Sequence, residues 1–268
     1  MKQGTIKNQV SVSGIGLHSG INSTITFKPA ETDSGIRFIR TDLAGRPEIK
    51  ADLNNVSNTE RGTKLGNIYT VEHVLSALYG LSITNVTIEL DGMEPPALDG
   101  SSKPFCELLL RSGLLKQGQE MKVIKLKEPV VLIENNKSII AMPSDRFRIS
   151  FMIDYPVVFI GSQYLRIELN EQTYLKEIAP ARTYGFTAEL DSLKQKGLAL
   201  GANVTNAIAI GNDGYLNNLR FKNELVRHKM LDLIGDLSLT GKEIRAHIIG
   251  IRSSHEMNIK LAKMLLQS

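Results

Sequence analysis

His228, Asp232 and Asp236 recur at every fourth position of VRHKMLDLIGD, residues 226–236. On a helix such residues stack on successive turns, within about 80° of one another at ~100° per residue. An imidazole and a carboxylate placed this way can share one divalent ion. Val226, Met230, Leu233, Ile234 and Leu237 fall on the opposite side. One reading makes the polar stripe the solvated flank of an amphipathic helix. The other makes it the lining of a cavity. Leu225 and Leu231 border the stripe, and only Lys229 supplies the charge mixing of a wet face, which favours the cavity.

Two ligands are too few for a tight zinc site, so the other histidines matter: His18, His73, His247 and His255. His73 follows Glu72 in TVEHV. Two imidazoles and one carboxylate leave a fourth position for water, the pattern of a catalytic zinc. Glu72 projects about 100° away from His73. It could face the same cavity without binding the ion and take a proton from that water. His247 sits in the alternation of RAHIIGI and reads as an ordinary strand residue. HxxxD and EH are common, so spacing alone leaves the metal site and the solvated helix both open.

These residues need elements to hold them. QVSVSG, STITF and GIRFIR alternate with period two and predict half-buried strands. TVEHVLSALYG predicts a helix with Val71, Val74, Leu75 and Leu78 on one side and Gly80 as its C-cap. NVTIEL follows as a strand, then the loop MEPPALDGSS, then PFCELLLRSG, a helix with Pro104 near its start, Cys106 in its core and Gly113 as its stop. Residues 114–122, LLKQGQEMK, are polar and suggest a boundary. Strands resume in KVIKL, PVVLI, SIIAM, RFRISFMIDY and YLRIEL. TAELDSLKQKG is a short helix stopped by Gly197, and NAIAIG a strand. The helix over 222–239, the strand RAHIIGI and the helix HEMNIKLAKMLLQ complete the chain. Each half runs strands, helix, strand, helix, which predicts an α+β fold of two similar units, each a sheet packed on helices. The expected units are 1–118 and 119–268.

The 268 residues are 42% hydrophobic and 22% charged, ordinary values for a globular chain. A net charge of +4, from 32 basic and 28 acidic residues, suits an anionic substrate or an acidic membrane surface, though solubility alone explains it. The basic residues are dispersed, with no aromatic-rich basic stripe, which argues against a nucleic-acid-binding module. A single cysteine, Cys106, allows no internal disulfide. MKQGTIKNQV lacks the apolar core of a signal peptide, and no apolar run approaches the ~20 residues of a membrane span. A cytoplasmic protein is the expectation. SGIGLHSG reads as a hairpin turn rather than a phosphate cradle, since INSTITF after it predicts strand. Asp91, Glu94 and Asp99 in DGMEPPALDG could pair as carboxylates, but the Pro and Gly content favours a structured loop.

Six blocks appear in order: SGIGLHSG, TVEHVLSALYGLSITNVTIELDGMEPPALDGS, PARTYGF, KGLALG, NELVRHKMLDLIGDLSL and SHEMNIKL. Together they resemble the UDP-3-O-acyl-N-acetylglucosamine deacetylases, across about residues 4 to 265. These zinc amidases hydrolyse the N-acetyl amide of UDP-3-O-acyl-N-acetylglucosamine, release acetate and commit the precursor to lipid A biosynthesis. The resemblance implies that His73, His228 and Asp232 hold zinc, with iron(II) acceptable to the same donors. It implies Glu72 as general base and His255, polarised by Asp236, as cation or general acid. Thr183 would stabilise the oxyanion, Lys229 would reach substrate, and Tyr184 with an insert around 186–212 would line the acyl passage. The active site would lie at the junction of the two units. The implied partners are the UDP-sugar lipid substrate and, transiently, the inner membrane surface, with no nucleic acid and no obligate protein partner. Ser254 and Met257 stand where the family usually has Gly and Leu, and Tyr184 where Phe is common. Another zinc amidohydrolase or peptidase with the same ligands is the alternative reading.

Overall fold

In the computed structural model, which describes residues 2–268, the early strands are β1 (Lys2–Ile6), β2 (Val10–Ile15), β3 (Asn22–Pro29), β4 (Ile36–Arg40), β5 (Glu48–Lys50), β6 (Val56–Asn58) and β7 (Lys64–Leu65). Helix α1 (Glu72–Gly80), strand β8 (Val86–Leu90), helix α2 (Lys103–Arg111) and strand β9 (Leu114–Glu120) follow. The second half opens with β10 (Val123–Lys125), β11 (Val130–Glu134), β12 (Lys137–Pro143), β13 (Arg148–Asp154) and β14 (Ser162–Glu168). Next come α3 (Glu171–Thr173), β15 (Tyr184–Phe186), α4 (Leu190–Gln195), β16 (Ile208–Ile210), α5 (Glu224–Ser238), β17 (Glu243–Ile251) and α6 (His255–Gln267).

Two sheets share one topology. The first runs β2-β3-β8-β4-β5, with β8 antiparallel to β3 and parallel to β4. The second runs β11-β12-β17-β13-β14, with β17 antiparallel to β12 and parallel to β13. In each, the strand that follows a helix inserts at the centre. Helix α2 lies against the first sheet, α5 and α6 lie against the second, and α1 packs on α2 and α5. Alternation does the sorting: in β17, Ile244, Ala246, Ile248 and Gly250 are buried while the residues between them are partly exposed. Gly250 has to be small, because a Cβ there would lie 2.6 Å from the Phe151 ring.

One expectation needs amending, and the polar boundary run takes on a definite structure. Gly80 ends α1 in position, but not as a left-handed cap: it is the last helical residue, and Ser82 takes the positive φ of 57°. Its lack of a side chain makes room for Tyr174, whose ring would come within 2.1 Å of a Cβ. Tyr174 sits in a π-helical turn over residues 174–178 that carries no amphipathic signature, fully buried with its hydroxyl donating to Ser76. The polar run 114–122 is largely strand: β9 pairs antiparallel with β1, Ile6 opposite Leu114. Cys106 is buried in α2, and burial pushes its thiol up to about 12. Among the described residues no helix is long and apolar enough to cross a membrane.

Gly235 lies in the middle of α5, where glycine costs about 1 kcal/mol relative to alanine. Its reason is contact: a Cβ there would sit 2.2 Å from the Glu72 carbonyl oxygen. Gly235→Ala is therefore expected to destabilise the protein by about 1–3 kcal/mol despite the better helix propensity. Gly214→Ala, where a Cβ meets nothing within 4 Å, should stay within about 0.5 kcal/mol. Denaturant midpoints of both variants check this, and an unchanged Gly235→Ala would refute the packing argument.

Candidate active site

The close approach of α1 and α5 sets four polar side chains face to face. Glu72 and His73 open α1, while His228 and Asp232 stand on successive turns of α5; all four are nearly sealed from solvent. They floor a cleft of about 520 Å³, which Thr183, Tyr184, Lys229 and His255 also line. Asp236 lies behind, fully buried. The stripe on α5 is thus a cavity lining and not a wet flank.

One Asp232 oxygen, Oδ2, accepts from Lys229 Nζ at 2.6 Å. The other, Oδ1, is buried and makes no hydrogen bond. It faces His228 Nε2 at 3.3 Å and His73 Nε2 at 3.8 Å, and the two imidazole rings meet edge to face at 5.0 Å. His228 donates through Nδ1 to the Ala181 carbonyl at 3.1 Å, which leaves a lone pair on Nε2. Acceptors converging without a donor are costly when buried, and a cation among them removes the cost. The donor set of two imidazoles and one carboxylate, all within 4.8 Å of one another, fits a divalent ion. Glu72, Asp232 and His255 form a second trio at the same spacing, but His255 has no lone pair to offer when charged.

The charge states follow from surroundings. Burial disfavours charge on His73 and, with the neighbouring His228, lowers its pKa to about 3, so it is neutral. Burial lowers His228 as well. Burial also opposes charge on Asp232, yet His228, Lys229, His255 and His73 hold its pKa far below the usual carboxylate range. Glu72 goes the other way: burial, with Asp232 and Asp236 nearby, raises it to about 8 against the pull of His255. For His255 burial favours the neutral ring, but Asp236 and Asp232 outweigh it and raise the pKa to about 9. Its Nδ1–H donates to Asp236 Oδ2 at 2.8 Å. Ser254 caps α6 through its backbone only, and the Ser253 hydroxyl binds Asn258 instead.

Several participants escaped the sequence reading. Thr63 donates its backbone N–H to Glu72 Oε2 at 2.9 Å and its hydroxyl to Asp236 Oδ1 at 2.5 Å. Asn258 donates to Asp236 Oδ2 at 2.9 Å. Arg182 and Glu224 form a buried ion pair, with Arg182 Nε 2.9 Å from Oε1. The pair fixes segment 181–183, which carries both the carbonyl that orients His228 and the cleft-lining Thr183. Thr183 itself is tied by backbone bonds to Gly100 and Ile208. None of these residues lies at a spacing that marks chemistry; only their contacts do. Tyr184 shares a hydroxyl bond with Tyr155 at 2.9 Å, and Tyr155, Tyr184 and Phe186 continue the cleft wall toward the β15–β16 insert. The insert is anchored on the β2–β3 turn, where Leu200 and Gly201 donate to the His18 and Leu17 carbonyls. The His18 ring accepts from the Ala199 N–H through Nδ1 and meets the Arg61 carbonyl through Nε2, while its backbone N–H donates to the Glu94 carboxylate.

Residues 3–267 match the family described as UDP-3-O-acyl N-acetylglycosamine deacetylase. A protein named UDP-3-O-acyl-N-acetylglucosamine deacetylase from Citrifermentans bemidjiense is 40% identical over 271 residues, covering 99% of this chain and 89% of its own. Its namesake from Thermodesulfovibrio yellowstonii is 41% identical over 271 residues, covering 99% of this chain and 92% of its own. A bifunctional LpxC/FabZ enzyme from Chlorobaculum tepidum is 40% identical over 297 residues, covering 98% of this chain and 64% of that one.

The raised values of His255 and Glu72 act together on metal-free protein. His255 has a folded value of about 9 against 6.5, so it stabilises the fold fully below pH 6.5 and loses that contribution through pH 9. Glu72, at about 8 against 4.5, holds its proton more tightly when folded, so unfolding gains on it as pH rises from 4.5 to 8. His73, lowered to about 3, gains stability as pH rises to 6.5 and opposes Glu72 there, so the fall should be plain between about pH 6.5 and 9. NMR should place the His255 ring near pH 9, and Asp236→Asn should bring it down; a ring titrating at or below 6.5 in the parent would contradict the charged state.

Proposed function

Since the chain belongs to the UDP-3-O-acyl N-acetylglycosamine deacetylase family, we propose that it hydrolyses the N-acetyl amide of UDP-3-O-acyl-N-acetylglucosamine, committing this precursor to lipid A. Water adds to the acetyl carbonyl carbon, the carbon–nitrogen bond breaks, acetate leaves, and the sugar keeps a free amine. The observation that carries the reading is the bond-free Asp232 Oδ1 facing two imidazoles, flanked by one carboxyl and one charged ring. His73, His228 and Asp232 would hold zinc, with iron(II) acceptable to the same donors. When bound there, the ion supplies Lewis acidity toward the carbonyl and acidifies water.

The remaining steps belong to the side chains. Glu72, raised toward neutrality, takes a proton from the attacking water; a base with a pKa near the working pH is the effective one. His255, held charged by Asp236, gives a proton to the departing amine. Thr183 donates to the oxyanion, an interaction worth roughly 3 kcal/mol. Lys229, at the cleft wall, contacts substrate while its ammonium steadies Asp232. Lys137 and Arg252 line the same cleft and suit the diphosphate. Tyr184 and the insert around 186–212 take the acyl chain. We assign residues 1–118 and 119–268 to the two units, and the enzyme to the cytoplasm with transient contact at the inner membrane surface.

Elemental analysis should give about one zinc per chain, with acetate release lost to a chelator and restored by about one equivalent of zinc. Glu72→Ala should keep its metal and lose about 10²–10⁴ in turnover. Asp232→Ala should lose metal. Absence of metal from Glu72→Ala would make Glu72 a ligand; full metal in Asp232→Ala would remove Asp232 from the site.

A further inference from the structure

Thr63 is completely buried, carries no charge and belongs to none of the motifs. Three of its groups are engaged. Its carbonyl accepts from the backbone of Val71, at the entrance to α1. Its N–H donates to Glu72 Oε2 at 2.9 Å, and its hydroxyl donates to Asp236 Oδ1 at 2.5 Å. One residue therefore donates to two carboxylates that come from opposite halves of the chain. Its neighbour Gly62 lets the segment approach backbone-first: a Cβ there would lie 3.0 Å from Glu72 Oε1.

Asp236 divides its oxygens. Oδ2 accepts from His255 Nδ1 at 2.8 Å and Asn258 Nδ2 at 2.9 Å, and Oδ1 accepts from Thr63. Without the Thr63 hydroxyl, Oδ1 would be a buried acceptor with no donor, and the carboxylate would turn to find one. That turn would move the His255 ring bonded to it. We infer that Thr63 is a positioning residue that sets the spacing between Glu72 and His255. The inference rests on the proposed amide hydrolysis, in which one group takes a proton and the other gives one at the same scissile bond. A misplacement of about 1 Å at such a bond can cost ~100-fold.

Thr63→Val keeps the shape and the N–H but removes the hydroxyl; Thr63→Ser keeps both donors. The valine variant should lose about 10- to 100-fold in kcat with KM and zinc content unchanged. The serine variant should recover kcat. By NMR the His255 Nδ1–H proton should be sharp in the parent and in Thr63→Ser, and shifted or broadened in Thr63→Val. That comparison needs no substrate, so Thr63 can fail while the deacetylase reading stands, and the reverse. If Thr63→Val does not fold, Thr63→Cys, with its weak thiol donor, is read the same way. Parent-like kcat and ring proton in the variant lacking the hydroxyl would overturn the inference. So would a serine variant as impaired as valine, or loss of zinc in place of kcat.

Discussion

Everything at the site hangs on how closely α5 can approach the first turn of α1. The two helices meet backbone to backbone where Gly235 faces the Glu72 carbonyl. A side chain at that point would wedge them apart, and His73 would part from His228 and Asp232. The repeated topology explains why the approach is possible at all. Each sheet shields one side of its own helix pair and leaves α1 and α5 to cover each other. The residues at their contact are then withdrawn from water whatever their polarity.

Withdrawal from water is what separates the roles of similar groups. Glu72 and Asp232 are both buried carboxyls within one cluster, yet one is pushed up and the other held far down. The difference lies in company: Asp232 has an ammonium on one oxygen and imidazoles around it, whereas Glu72 has a backbone N–H and other carboxylates nearby. His73 and His255 split the same way, the first kept neutral by burial and the neighbouring His228 despite Asp232, the second charged because Asp236 touches it. Environments that drive like groups apart in pKa are how one fold keeps acid and base side by side at a single pH.

Much of this can be read from the chain because it is written locally. Period-two runs mark the core strands, and the fourfold spacing of His228, Asp232 and Asp236 marks their shared face on α5, since both are properties of adjacent residues. What the chain conceals is non-local. Thr63 and Asp236 are 173 positions apart, and a threonine in a short, unpatterned segment gives no hint of such a partner. Gly80 looks like a helix stop, when its smallness serves Tyr174 from a turn that periodicity does not detect. β9 shows only as a polar boundary run, because a strand pairing with β1 and mostly exposed needs no apolar face. The Arg182–Glu224 pair is invisible for the same reason as Thr63: burial of a charge is a property of the fold, not of its neighbours in sequence.

Cys106 is sealed on the buried face of α2 with its thiolate strongly disfavoured. Oxidants and electrophiles that work through sulfur therefore find no reactive handle in the native molecule. A cysteine introduced at the rim of the cleft or on the β15–β16 insert would be the sole thiol a maleimide dye could reach. The surroundings of the cleft could be probed through one such label without first stripping the chain of its natural sulfhydryl.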